Sequence, residues 1–211
     1  MTKPVVYIVG ADKGGVGKTT TTRTLIDYLD RHGVGNRAFD TQTDIPGGTL
    51  KRFYPDRTEL VDLLDSDGQM RVFDTLNAQI ATVIDIRASL LSPTLQILSD
   101  IGFLDSSKLD IRLLHVLGNS QASIEEVAPV ASKLAGMRHI LVGNRINATK
   151  FAFPAEALDI PMLAPAMAEA VDKSNQPFSL FGKSNSSAVM RGTVNTWLDR
   201  VFAQYARVQL P

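Results

Sequence analysis

The stretch Val5-Val6-Tyr7-Ile8-Val9-Gly10-Ala11-Asp12-Lys13-Gly14-Gly15-Val16-Gly17-Lys18-Thr19-Thr20 decides the fold. Residues 5–9 are continuously apolar, as in a strand covered on both faces. Residues 19–32 then place Leu25, Ile26 and Leu29 on one helical face before Gly33 and Gly35 stop the helix. Between strand and helix lies a loop with the spacing of a phosphate cradle. Gly14, Gly15 and Gly17 let the backbone turn tightly and aim N–H groups inward, with Val16 between them. The start of the following helix, at Thr19 and Thr20, adds the positive end of its dipole. Lys18 is placed to neutralise the β and γ phosphates of ATP, and the Thr19 hydroxyl to ligand Mg2+. A glycine-rich turn can also join strand to helix without any ligand. Here glycine spacing, lysine, threonine and both flanking elements agree.

Outward from this loop, short apolar runs alternate with helix-length segments. Residues 37–40, 81–86, 111–117 and 139–142 read as further strands, and 56–64, 92–104, 123–134 and 194–208 as further helices. That order predicts an α/β fold in a single domain over residues 1–211, a mostly parallel twisted sheet with helices on both faces. Pro154, Pro161, Pro165 and Pro177 make residues 151–186 read as loop-rich.

Composition narrows the chemistry. The 211 residues are 44% hydrophobic and 21% charged, as in an ordinary globular domain. There is no cysteine, which excludes disulfides, thiolate metal sites and cysteine nucleophiles, and fits a reducing cytoplasm. The three histidines, His32, His115 and His139, lie far apart in sequence and read as packed or surface residues. No stretch approaches the about eighteen apolar residues of a membrane span. The net charge is zero, yet from Lys173 onward five basic residues (Lys173, Lys183, Arg191, Arg200, Arg207) face Asp199 alone. This excess is either a solvated surface or a footprint for DNA or anionic lipid.

Lys13 narrows the class. In Lys13-Gly-Gly-Val-Gly-Lys-Thr-Thr20 the first lysine has no work on its own phosphates that Lys18 does not already do. The pattern resembles the deviant Walker A motif of the ParA/MinD family of P-loop ATPases. The resemblance implies a P-loop NTPase fold and an ATP-dependent homodimer in which Lys13 reaches the partner subunit's nucleotide, acting in trans like an arginine finger. It further implies that Asp40, which ends the second strand, belongs to an acidic pair at the metal. Ala81-Thr82-Val83-Ile84-Asp85 resembles a Walker B strand, with Asp85 holding Mg2+ through a water. Ile140-Leu141-Val142-Gly143-Asn144-Arg145 resembles the family's strand-then-Asn-Arg, in which the asparagine amide meets the adenine edge. Taken without the resemblance, Asn144 reads equally well as a turn residue.

Two departures stand out. Where the family's second aspartate handles the attacking water, this chain has Gln42, in Asp40-Thr41-Gln42-Thr43-Asp44. Gln42 can orient a water, Asp44 can substitute for it, or hydrolysis is very slow. After Asp85 comes Ile86-Arg87-Ala88-Ser89, and Arg87 is free to contact phosphate, to pair with a carboxylate or to meet a partner. The stripe Val194, Trp197, Leu198, Val201, Phe202, Tyr205 and Val208 reads as a helix docked on the sheet rather than a membrane-surface helix, because its polar face is not strongly basic.

The leading functional reading is a ParA-like cytoplasmic ATPase in plasmid or chromosome segregation or cargo positioning. Its partners would be non-specific DNA, with Arg191, Arg200 and Arg207 as candidate contacts, and a ParB-like or cargo-adaptor protein. The alternatives are an accessory ATPase for conjugation, membrane-site positioning or metallocentre assembly, a small-molecule kinase or ligase, and a scaffold that barely hydrolyses.

Overall fold

The structure, a computed structural model, describes residues 3–104, 108–134 and 136–210. Among the described residues seven strands form one sheet: β1 (Val5–Gly10), β2 (Asn36–Asp40), β3 (Thr58–Leu60), β4 (Ala81–Asp85), β5 (Asp110–Leu117), β6 (Arg138–Asn144) and β7 (Leu158–Ile160). Their order across the sheet is β3-β2-β4-β1-β5-β6-β7, and every pairing is parallel. The helices are α1 (Lys18–Arg31), α2 (Ser66–Phe73), α3 (Leu91–Asp100), α4 (Gln121–Glu125), α5 (Val127–Ala131), α6 (Pro165–Ser174), α7 (Phe178–Ser184) and α8 (Ala188–Arg207).

The continuous apolar runs are explained by two cores, one on each face. Along β1, Tyr7 and Val9 join one core with Leu25 and Leu29 of α1 and Trp197, Val201 and Tyr205 of α8. Val6 and Ile8 join the other with Leu91, Leu95 and Leu98 of α3 and Val72 of α2. The alternation follows from the two-residue period of a strand, so both sides of a central parallel strand must be apolar. β1 lies between β4 and β5, where the chain changes its direction of travel across the sheet. The carboxyl ends of strands beside such a switch leave a crevice, and the glycine loop follows β1 directly into it.

The expected mostly parallel α/β sheet is present, with corrections at its margins. Residues 58–60, read as helical, instead form β3 beside β2, with Ala38 opposite Thr58 and Asp40 opposite Leu60. The open backbone edge of β2 requires a partner, and meeting it overrides local helix preference; the helix follows later, as α2. The single helix expected over 123–134 is split into α4 and α5 around Glu126. Pro129 has no N–H to donate and would crowd the carbonyl four residues back, so it fits only in the first turn of a new helix. The segment 151–186 holds β7, α6 and α7, with Pro165 at the start of α6 and Pro177 capping α7. Here the prolines begin helices rather than prevent them. α8 starts earlier than expected because the Ser187 hydroxyl caps it, accepting from the Met190 N–H at 3.3 Å.

The α8 stripe is packed, not free. Trp197 Nε1 donates to the Pro161 carbonyl at 2.6 Å, and the Tyr205 hydroxyl lies 2.7 Å from Thr24 Oγ1 on α1. Among the described residues no helix is long and apolar enough to cross a membrane.

Candidate functional site

The loop between β1 and α1 has the shape the sequence calls for. Gly15 (φ 72°) and Gly17 (φ 87°) both lie in the left-handed region that favours glycine. α1 begins at Lys18, with Gly17 as its N-cap, no side-chain cap and no acidic residue in its first turn. Its first amides therefore stay available to an anion. They open onto a cavity of about 230 Å³ lined by Gly15, Gly17, Lys18, Thr19, Thr20, Gln42, Thr49 and Ala88. Lys18 is buried, and its Nζ donates to the Lys13 carbonyl at 2.8 Å. Burial pushes its pKa down, with Asp85 the leading opposing charge.

Thr19 and Asp85 meet across the cleft. Thr19 Oγ1 donates to Asp85 Oδ2 at 2.7 Å, and Thr22 Oγ1, one turn further along α1, donates to Oδ1 at 2.8 Å. Burial raises the Asp85 pKa to about 7 despite both hydroxyls, and the nearby Asp40 charge pushes the same way. A hydroxyl and a carboxylate at the edge of a polar cleft suit Mg2+, which keeps several waters and takes few protein ligands. Asp40 lies opposite Asp85 in the β2–β4 register, but both its oxygens are engaged. Oδ1 accepts from the Gln42 amide at 2.9 Å, and Oδ2 from the amides of Thr49, Leu50 and Lys51 at 2.7, 2.7 and 3.3 Å. Asp40 thus fastens the neck of the 42–51 loop, a task the sequence reading did not give it.

At the mouth of the cleft, Gln42 Nε2 donates to Asp44 Oδ1 at 2.6 Å, and Arg87 Nη1 reaches the same oxygen at 3.4 Å. Of the three roles open to Arg87, the structure has it paired with a carboxylate. Asp44 is exposed, and its pKa is lowered by hydrogen bonds from its own backbone amide and from Gln42.

Asn144 and Arg145 separate. Asn144 is buried at the end of β6, and its Nδ2 donates to the Val16 carbonyl at 2.9 Å, bracing the loop from behind. A Cβ at Gly17 would come within 1.9 Å of that nitrogen, so the glycine and the amide fit only each other. Arg145 is committed to Asp159, at 2.7 Å from Nε and 2.9 Å from Nη2, and to the Phe151 carbonyl. Of the basic tail residues, Arg200 and Arg207 are seven positions apart and share a side of α8. Arg191 lies half a turn away, with its guanidinium on the carbonyls of Asn185 and Ser186.

Lys13 is exposed, and among the described residues its ammonium has no hydrogen-bond or ion-pair partner. Its peptide is held instead. Glu126 Oε2 accepts from the Lys13 amide at 3.1 Å, and Oε1 from the Asp12 amide at 2.5 Å. Behind Glu126, His115 Nε2 lies 3.1 Å from Oε1, and His115 Nδ1 lies 3.2 Å from His139 Nε2. The histidines that looked unrelated in sequence are stacked because β5 and β6 are neighbours in the sheet. Burial and the His115 charge push the His139 pKa down to about 4, so it is neutral near pH 7. No sequence pattern announced Glu126, which lies 113 positions from Lys13. Thr22 was within reach, being three residues after Thr19 on one helical face.

The seven-stranded parallel sheet, with the Lys-Gly-Gly-Val-Gly-Lys-Thr-Thr loop at its central crevice, is a fold shared with solved ParA family and MinD structures. No family model matches the chain. Among solved structures, it is similar to a ParA family ATPase from Chlorobium tepidum TLS, with a TM-score of 0.58 and 13% identity over 94% of this chain and 98% of that one. It is similar to a plasmid partition protein from Borrelia burgdorferi B31 bound to AMPPNP (TM-score 0.59, 10% identity, 98% and 99% covered). It is also similar to a chain of the MinC:MinD cell division protein complex of Aquifex aeolicus (TM-score 0.53, 15% identity, 93% and 96% covered). At these identities the likeness establishes the fold. In sequence, 84 residues are 29% identical to protein MobD of Acidithiobacillus ferrooxidans, covering 40% of this chain and 37% of that curated relative's length.

Proposed function

We propose that the chain is an Mg2+-dependent ATPase that works as a dimerising switch, of the kind used to partition or position a cargo. The observation that carries this reading is the pair of lysines at one loop. Lys18 is buried at the phosphate cradle, while Lys13 presents an unpaired ammonium to solvent from a clamped peptide. In this reading the α1 amides, Lys18 and Thr20 hold the phosphates of ATP, and Lys13 completes the charge on the partner subunit's nucleotide. Thr19 and Asp85 would hold Mg2+, which supplies charge neutralisation at the phosphates. Asp40 supports them by fixing the loop, and Asn144 fixes Val16 and leaves its carbonyl oxygen for an adenine amine. The relative solved with AMPPNP supports the choice of nucleotide.

Solution mass by light scattering tests the switch. A monomer with ADP and magnesium is expected to double in mass with AMPPNP and magnesium. An unchanged monomer in both states would remove the switch and leave a kinase or scaffold.

Gln42 and Asp44 are hydrogen-bonded to each other through Nε2 and Oδ1, and Arg87 draws on the same oxygen. Gln42 Oε1 and Asp44 Oδ2 take no part in these contacts, so either residue can offer an oxygen to a water. Gln42→Ala and Asp44→Ala should separate the candidates: the variant lacking the water-orienting group should lose about tenfold or more in steady-state ATP turnover. Unchanged rates in both would exclude both residues as the water-orienting group.

A further inference from the structure

We infer that Glu126 is a positioning residue for Lys13, holding the lysine-bearing peptide in the orientation from which its ammonium reaches outward. The inference rests on the proposed role of Lys13 across a dimer interface.

The Lys13 peptide is pinned on both sides. Its carbonyl accepts from the Lys18 ammonium at 2.8 Å, and its N–H donates to Glu126 at 3.1 Å. The Lys18 ammonium has three N–H donors, so it can hold the carbonyl and still turn others to phosphates. The Asp12 side of the segment is tied by the Ser89 amide to the Asp12 carbonyl at 2.8 Å and by the Ser92 amide to Asp12 Oδ1 at 3.0 Å. Glu126 holds the amides of both residues, and so sets the direction in which the Lys13 side chain leaves the loop.

Glu126 is built for that task. Its carboxylate accepts from two consecutive loop amides and from His115, so its oxygens are fixed in direction. Burial alone would raise its pKa, but the His115 hydrogen bond and the Asp12 amide outweigh it and hold the group below the ordinary glutamate range. It therefore stays an anion, and N–H to carboxylate bonds are the stronger kind. His115 is fully buried and backed by the neutral His139, a rigid support on two adjacent strands. Glu126 lies at the junction of α4 and α5 with helical backbone, and its side chain meets the loop from there.

The test compares Glu126→Ala, Glu126→Gln and Lys13→Ala. For each, nucleotide affinity of the monomer is measured by calorimetry, AMPPNP-driven dimerisation by light scattering, and thermal unfolding without nucleotide. Glu126→Ala is expected to keep monomer affinity for ADP within about threefold and to weaken dimerisation by about tenfold or more, the scale of one charge-assisted hydrogen bond. Glu126→Gln retains one acceptor oxygen and should fall between Ala and the parent. Dimerisation unchanged in Glu126→Ala would overturn the inference, as would parallel loss of nucleotide affinity and dimer, the mark of a merely structural residue. If Glu126→Ala does not fold, Glu126→Gln decides alone, and an unaltered dimer overturns it. Lys13→Ala should bind nucleotide and not dimerise; normal dimerisation of Lys13→Ala defeats the trans role of Lys13, a failure distinct from that of Glu126.

Discussion

Lys18→Ala is expected to weaken Mg-ATP binding by about a hundredfold or more without lowering the melting temperature of the nucleotide-free protein. The two halves of this result come from one burial. The ammonium is taken out of water with the Lys13 carbonyl as its hydrogen-bond acceptor, and the downward shift of its pKa reports that cost. In the free protein its removal relieves the cost and forfeits a single hydrogen bond. With nucleotide present the same ammonium faces several phosphate charges, and the loss is large. Calorimetric titration and a thermal scan on the same sample check both halves. A variant that melts much lower but still binds would show that Lys18 serves the fold instead.

Gly17→Ala is expected to cost about 3 kcal/mol of stability and to abolish nucleotide binding. Left-handed backbone at a residue with a Cβ costs about 1–2 kcal/mol. The remainder comes from the collision with Asn144 Nδ2, 1.9 Å from where the Cβ would sit, since a packed interior yields only by shifting neighbours. The double variant Gly17→Ala/Asn144→Ala separates the two. Asn144→Ala alone gives up the bond to the Val16 carbonyl, about 1 kcal/mol. In the double variant the collision is gone, so the combined loss should fall below the sum of the single losses by about 1 kcal/mol or more. Chemical denaturation measures all three. Strict additivity would mean that Gly17 and Asn144 do not press on each other in solution.

Much of the fold was legible in the sequence because its signals are local. A strand buried on both faces has to read as Val-Val-Tyr-Ile-Val, and a phosphate cradle has to carry its glycines within a few residues. Thr19 with Asp85 was inferable because each closes a recognisable segment. The errors lie where long-range pairing decides. Residues 58–60 became a strand only because the edge of β2 was open beside them. Pro129 carried the split between α4 and α5 in plain sight, since a proline in mid-helix is costly. Glu126 was invisible: its importance arises from long-range contacts with the loop amides and with His115 on β5, none of which is written near Lys13. Asp40 was legible as an acidic residue at a strand end, while its grip on the 42–51 loop was not, because amide donors have no sequence signature.

That grip bears on how such a protein diversifies. One carboxylate closes a small ring at the amides of residue 42 on one side and residues 49–51 on the other. Within it, Asp44 turns back to Gln42 and Arg87 at the mouth of the cleft, while residues 45–47 project outward with Ile45 exposed. Lengthening such a tip adds a closure cost that grows only with the logarithm of its size, about 0.6 kcal/mol per doubling. Evolution can therefore rewrite residues 45–47, and a protein engineer can graft a recognition sequence there, while the ring at Asp40 keeps its shape.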